Sequence, residues 1–522
     1  ARLEKLESLA AFAQWLAQPQ AWVGGFEFLQ MLRLRNQLEG ADAWKLDDTS
    51  EDFDYLLIKE RLTELRRLCQ AGDARQLAFD LYEGLHGNLG NMSNAGLYGV
   101  ARICTKKLVE DYIGEVARCL DFICAGDFAD FTFEDKIQFF KRTATAVGRS
   151  ALMLSGGGTL GMFHLGVIKA LHEQDLLPRV LSGSSAGSII AATVGTRLDD
   201  EISAIFRPGG LDLEAFQSLG LRDALKGGAV MDGSQLDRCL ATNIGEYSFV
   251  EAFERTRRIV GVTVSPSEPH QQGRLLNYLT APHVLMRRAV LASCAVPGVF
   301  PPVMLEARNY EGTVVPYMPG KRWIDGSLAS DLPMLRLARL HNVNHFIVSQ
   351  TNPHIVPFMA QIDREQSGSR GLAPLAAELV KHGGTGALRL ARKHLDPYGG
   401  GRVLGKIDNI VRQRYSGDVN IYPRNTPRRV FRTFSNPAPE DIQRYVRSGE
   451  RATWPKIERI RNQTRISRAF EDCLRLLKAR ELGLDKQPAF IAENELQTKT
   501  LLADKSIASN EKIAALDANT RT

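Results

Sequence analysis

Along the first 148 residues apolar side chains recur every three to four positions and show no strand-like alternation, a pattern that predicts helices. Leu3, Leu6, Leu9, Ala10, Ala13 and Leu16 form one stripe, ended by Pro19, and Phe26, Phe28, Leu29, Leu32 and Leu34 form a second. Asp47-Asp48-Thr49-Ser50 makes a polar break with an N-cap, and a strongly amphipathic third helix follows over 53–69. Gly84, Gly87, Gly90, Gly96 and Gly99 predict a loop, and long helices resume over 104–123 and 133–147. Trp15, Trp22, Phe26, Phe28 and Trp44 fit either a helical domain packed on a catalytic core or a partly exposed face that touches lipid.

From Arg149 the texture changes. A short apolar strand over 151–154 runs into Gly156-Gly157-Gly158-Thr159-Leu160-Gly161, then a helix over 162–174. A second strand ends at Val180-Leu181 and gives way to Gly183-Ser184-Ser185-Ala186-Gly187 and an apolar helix reaching about 196. Further β-branched runs lie at 258–264 and 344–349, with helical stretches at 214–225, 234–243 and 285–294. Strands alternating with helices predict an α/β fold: a mostly parallel sheet with helices on both faces. After Pro353 the strand signals fade into two short helices over 373–394, a glycine break at 399–401 and a cation-dense stretch over 428–468. Beyond about 487 the chain is polar and low in aromatics, the composition of a disordered tail. Four segments are expected: a helical domain over 1–148, a catalytic domain over 149–355, a helical, basic C-terminal region over 356–486, and a tail over 487–522.

Composition narrows the function classes. A length of 522 residues suits two or three domains, and 44% hydrophobic and 24% charged residues are ordinary globular values. A net charge of +6 gives no sign of nucleic-acid binding but suits an anionic membrane surface. Arg428, Arg429, Arg432, Arg444, Arg447, Arg451, Lys456, Arg459, Arg461, Arg465 and Arg468 are opposed only by Glu440, Asp441, Glu450 and Glu458. They read as a solvated helical face or as a patch for anionic lipid head groups. The seven cysteines have no metal-ligand spacing, which predicts free thiols in a reducing compartment such as the cytoplasm, and no metal or other cofactor is expected. No run of about 18 apolar residues suggests a spanning helix. Ala1 stands first with no apolar leader after it, as in a truncated chain that has lost targeting residues.

The chemistry gathers between 150 and 330. Ser185 sits in a G-x-S-x-G pattern with the strand before it and the helix after it that a nucleophile elbow requires. The glycine stretch 156–161 follows another strand, so its bare amides are placed at the same sheet edge as candidate oxyanion donors. Its spacing also satisfies G-x-G-x-x-G, but no acidic residue ends a second strand about twenty positions on, and a Walker lysine is missing. A base for Ser185 has two sources. Asp325, in Trp323-Ile324-Asp325-Gly326-Ser327, puts a carboxylate at a tight glycine turn, although a lone Asp-Gly is commonly only a turn. His341, His345 and His354 follow in the chain order of a Ser-Asp-His triad, and His164 lies within the helix after the glycines, where packing or capping is its ordinary role.

Gly156-Gly157-Gly158-x-x-Gly161, the Ser185 elbow, the stretch from Ala292 to Pro302 with its Pro297-x-x-Phe300-Pro301-Pro302, and Asp325-Gly326, in that order, resemble the patatin-like phospholipase family. The helical region before them and His164 in its context resemble the triacylglycerol-lipase branch, that of yeast lipid-droplet and plant seed-oil lipases. The resemblance implies a three-layer α/β/α domain and a serine acyl hydrolase of lipid esters, either triacylglycerol or glycerophospholipid. It implies a Ser185–Asp325 dyad without histidine, with oxyanion donors from Gly156, Gly157 and Gly158. It implies peripheral attachment to a membrane or lipid droplet. Thr159 stands where many members carry Arg or Lys, and Ser327 where Gly or Ala is common after Asp-Gly. Two other readings remain: a catalytically silent lipid- or partner-binding module of the same fold, and a nucleotide-binding α/β enzyme. The oligomeric state is open.

Overall fold

Six short stretches of extended chain, 274–276, 259–266, 180–183, 149–154, 343–349 and 419–421, lie side by side in that order in one sheet, and 323–325 pairs with 259–266 off this path. The structure is a computed structural model. It describes residues 25–85, 88–101, 103–207, 209–215, 217, 231–268, 271–327, 331–353, 355–356, 359–360, 416–423 and 436–483. The helix expected over 3–16, Trp15, Trp22, most of the stretch 214–225, His354, the segment 373–401, Arg428, Arg429, Arg432 and the tail lie outside the described residues.

In chain order the helices before the sheet are α1 (Gly25–Glu39), α2 (Ala41–Leu46), α3 (Tyr55–Ala71), α4 (Ala74–Gly84), α5 (Lys107–Ala125) and α6 (Phe133–Val147). Then come β1 (Arg149–Leu154), α7 (Phe163–Glu173), β2 (Val180–Gly183), α8 (Ala186–Gly195), α9 (Gly233–Ile244), α10 (Phe249–Thr256), β3 (Ile259–Pro266), β4 (Arg274–Leu276) and α11 (Met286–Ser293). The chain continues through β5 (Glu306–Arg308), β6 (Val314–Pro316), β7 (Trp323–Asp325), α12 (Met334–His341), β8 (Val343–Ser349), β9 (Val419–Ile421), α13 (Pro439–Thr453) and α14 (Ile457–Glu481). The expected helix start at 104 moves to Lys107, because Cys104 has φ 66° and the Thr105 amide is taken by the Glu110 side chain at 3.1 Å.

β1, β2, β3, β8 and β9 run parallel, whereas β4 and β7 run antiparallel to β3. All eight residues of β3 are buried, as expected of a strand covered on both faces. The chain steps from β1 to β2 to β3 on one side and returns as β8 on the other side of β1. The loops after β1 and β8 therefore flank a switch point at the carboxyl edge, where α/β sheets place their ligands. The sequence expectation of a mostly parallel sheet with helices holds. It missed β4, β5, β6, β7 and β9, each three residues long and too short for an alternation to register.

Contacts group the chain into two units. One comprises 1–61, 86–113 and 148–465, and holds the sheet. In it α13 lies against α7 so closely that a Cβ on Gly166 would meet the Val446 carbonyl oxygen at 1.9 Å, and Lys169 of α7 pairs with Glu450 of α13. Cations of the basic stretch serve this unit from within: Lys456 bonds the Asn420 carbonyl, Arg459 donates to the Asp418 carbonyl at 2.8 Å, and Arg461 donates to Gln174 at 2.8 Å. The other unit comprises 62–85, 114–147 and 466–522. Its described part is helical, with Phe140 buried edge-on against Phe470 at 5.7 Å between ring centres. All seven cysteines are free, and among the described residues no group of three ligands stands ready for a metal.

Candidate active site

Ser185 occupies the one residue between the β2–Ser184 approach and α8, with φ 49° and ψ −126°. A non-glycine residue there carries strain of about 1–3 kcal/mol, which the surrounding bonds hold in place. The Ser185 amide donates to Ser293 Oγ at 2.9 Å, the Ser184 amide donates to the Leu154 carbonyl at 3.2 Å, and Ser188 Oγ donates to the Ser185 carbonyl at 2.6 Å. A Cβ on Gly187 would meet the Leu154 carbonyl oxygen at 2.1 Å, so only glycine lets the first turn of α8 lie against the end of β1. The result is a serine, 9% exposed, at the amino end of a ten-residue helix.

Asp325 ends β7, in register with Val264 of β3, and its amide donates to the Ala295 carbonyl at 3.0 Å. Its carboxyl is buried, and its Oδ1 accepts the Ser327 amide at 2.8 Å. Burial pushes the group up to about 6, against the amide and hydroxyl of Ser327 and the hydroxyl of Ser185, each of which favours the charged form. Ser185 is thus close enough to act on the carboxyl. Asp325 Oδ2 nevertheless makes no formed hydrogen bond among the described residues. Ser185 and the Asp325 carboxyl are adjacent, with Oδ2 unspent. Long or unformed catalytic bonds are common before substrate arrives.

The histidines lie elsewhere. His341 bonds Asn277 at 3.1 Å beside Tyr278, and His345 bridges Ser150 and Gln463, each at 3.1 Å. His164 is fully buried beneath the glycine loop, donating from Nε2 to the Ser155 carbonyl at 3.0 Å, with Nδ1 2.7 Å from Ser349 Oγ. Burial lowers it to about 4, so it braces the loop as a neutral ring.

The glycine loop is held from several sides. Thr351 Oγ1 and Ser155 Oγ each donate to the Gly156 carbonyl at 3.0 Å, and the Thr351 amide donates to Ser155 Oγ at 2.7 Å. The Gly156 amide donates to Asp331 Oδ1 at 3.0 Å. The amide of Gly156, one of the three expected oxyanion donors, is engaged by this bond before substrate arrives. The α-carbon of Gly156 packs beside Ser185, since a Cβ there would lie 3.4 Å from Ser185 Cβ. Gly158 lines the cavity together with Ser185. The same bond bears on the nucleotide reading, because an acidic side chain stands at the amide that a phosphate would need.

Sequence reasoning missed Asp331 and Asn352. Asp331 is 1% exposed, and its second oxygen accepts from Asn352 Nδ2. Burial, reinforced by the charge of Asp325, pushes its carboxyl up to about 8. Its only signal was an acid directly before Leu332-Pro333, six positions after Asp325, which periodicity does not distinguish from a solvated loop residue.

A largely apolar cavity adjoins Ser185. One face of α8 (Ser185, Ala186, Ile189, Ile190 and Thr193) forms one wall, and Leu236, Cys239 and Asn243 of α9 form another. Cys294 and Phe300 close it, so part of the 294–304 stretch lines a cavity rather than plain core.

Residues 152–338 match the family described as patatin-like phospholipase, and residues 5–145 match a domain of unknown function, DUF3336. The chain is 38% identical over 446 residues to triacylglycerol lipase SDP1L of Arabidopsis thaliana, a match covering 81% of this chain and 54% of that protein. It is 34% identical over 476 residues to triacylglycerol lipase ptl3 of Schizosaccharomyces pombe, covering 87% of this chain and 94% of that protein. It therefore spans about half of the plant relative and nearly all of the fission-yeast one. Among solved structures, VipD from Legionella pneumophila matches at 16% identity over 60% of this chain and 67% of that one, with a TM-score of 0.28.

Proposed function

Because the chain belongs to the patatin-like lipase family, in its triacylglycerol-lipase branch, we propose that it hydrolyses fatty-acyl esters of lipids, triacylglycerol foremost, by a Ser185–Asp325 dyad. The observation that carries the mechanism is the buried Asp325 carboxyl, with Oδ2 unspent, beside a serine on a strained elbow. Asp325 takes the proton of the Ser185 hydroxyl as Oγ attacks the ester carbonyl. The amides of Gly157 and Gly158 receive the oxyanion, each good donor being worth about 10²–10³ in kcat. Asp325 then protonates the leaving alkoxide and activates the water that releases the fatty acid. The cavity suits an acyl chain by its lining, in which Ala186, Ile189, Ile190, Leu236 and Phe300 present apolar side chains. The other chains of a triacylglycerol stay outside it, in the lipid phase.

Two further points belong to this reading. Along the sequence the boundary near 148 separates two family regions, since the matches end at 145 and begin at 152, although the compact units of the fold draw on both sides of it. Contact with a membrane or lipid droplet is peripheral and cytoplasmic. A net charge of +6 supports it, and no helix among the described residues is long and apolar enough to cross a membrane. The internal partners of Lys456, Arg459 and Arg461 remove those three cations from the lipid-facing patch.

One experiment tests the reading: equal protein assayed on emulsified triolein, phosphatidylcholine and lysophosphatidylcholine, with flotation on each lipid surface as a second arm. Release of oleate from triolein at several times the phospholipid rate, with salt-sensitive flotation, is the expected result. Faster phospholipid cleavage would overturn the substrate order. Binding without any hydrolysis would favour the silent module, and turnover abolished by ATP or NAD would favour the nucleotide enzyme.

A further inference from the structure

Three loops at the carboxyl edge of the sheet meet at one side chain. Asp331, in the turn after β7, accepts the Gly156 amide from the loop after β1 at 3.0 Å and the Asn352 side-chain amide from the loop after β8. Its carboxyl is 1% exposed, and Gly156 in turn packs on the nucleophile. We propose that Asp331 is a positioning residue for acyl transfer: by holding the Gly156 amide it fixes the glycine loop so that the two following amides face the developing oxyanion. The proposal rests on the reading of the previous subsection but assigns a residue that reading does not use.

Glycine loops are permissive, and an oxyanion donor displaced by about 1 Å loses most of its effect. Thr351 and Ser155 hold the carbonyl side of Gly156, so without Asp331 its peptide is anchored on one side only. Burial and the charge of Asp325 raise the Asp331 carboxyl to about 8, which favours its uncharged form at neutral pH. Asp325 is the ionisable neighbour that bears on it, while Gly156 and Asn352 are neutral partners. A second negative charge beside Asp325 and the oxyanion would oppose the transition state.

The test compares Asp331→Asn and Asp331→Ala with the unaltered chain on a short soluble ester, p-nitrophenyl butyrate. Asn keeps an acceptor for the Gly156 amide and never ionises, so its kcat is expected within about threefold of wild type. Ala removes the acceptor, and kcat is expected to fall about 10²-fold with KM nearly unchanged, because the lost interaction is one made only in the transition state. The rate of Ser185 labelling by a fluorophosphonate should fall in parallel. An Ala variant within threefold of wild type overturns the proposal, and so does an Asn variant as impaired as Ala.

If Asp331→Ala does not fold, pH dependence of stability decides. A carboxyl whose folded value is raised stabilises the fold fully below its unfolded value near 4 and loses that contribution as pH rises toward about 8. Asp331→Asn should therefore gain stability over wild type between pH 5 and 8.5, read as a growing difference in Tm. A difference that stays constant overturns the buried-acid role. A wild-type protein that hydrolyses no ester defeats the proposed function instead, and leaves this stability readout intact.

Discussion

Ser185→Ala is expected to reduce hydrolysis of long-chain esters by about 10⁴-fold or more, to the level of the emulsion alone. In the proposed mechanism the hydroxyl forms the acyl-enzyme, and among the described residues no other hydroxyl shares its position on the elbow beside Asp325. The fold should tolerate the change. The backbone bonds that hold the elbow run through the Ser185 amide and carbonyl, to Ser293 Oγ and Ser188 Oγ, and a methyl side chain leaves both intact. Ala is no better suited than Ser to φ 49°, so the elbow keeps its strain and gains none. Thermal unfolding should move by no more than about 3 °C, while intact-mass analysis after fluorophosphonate treatment should lose its single adduct. An adduct that persists at another serine, or residual turnover above about 1% of wild type, would remove Ser185 from the role of nucleophile.

What could be read in the sequence follows a physical division. The elbow was legible because its demands are local: a strand end, a left-handed turn residue, and glycine where α8 meets the Leu154 carbonyl, all within five positions. The glycine loop and Asp325 were legible as motifs. Their meeting is a property of the sheet, since β7 pairs antiparallel on β3 and brings Asp325 to Val264. Nothing in a three-residue strand announces that pairing. The engagement of the Gly156 amide was invisible for the same reason, because its partner lies 175 positions away. The sequence could assign the cations of 428–468 neither to solvent nor to lipid, since local charge density says nothing about whether a side chain turns inward. Lys456 and Arg459 do turn inward, to carbonyls of the segment around β9, a strand the sequence reading did not find.

Asp325→Asn is expected to lower kcat/KM by about 10³–10⁴-fold while His341→Gln and His345→Gln leave it within about threefold, because those rings bond Asn277 and Ser150 rather than the nucleophile. The pH profile gives the sharper form of this result. Burial favours the uncharged acid, so the carboxyl proposed to accept the Ser185 proton holds its own until about pH 6. Activity should therefore rise with a one-proton slope from pH 5 to 7, with its midpoint near 6, rather than sit flat as it would for an ordinary carboxylate near 4. Above about 8 the neighbouring Asp331 ionises, placing a second negative charge beside the first and the oxyanion, and activity should fall again. The two limbs belong to the interacting pair, so Asp331→Asn should abolish the alkaline limb and keep the acid one. A wild-type profile level from pH 5 to 7, or a histidine variant as inactive as Asp325→Asn, would assign the base to a different group. The shape of the curve separates this from mere misfolding: a destabilised Asn variant loses activity at every pH, whereas loss of the base removes the acid limb itself from whatever activity remains.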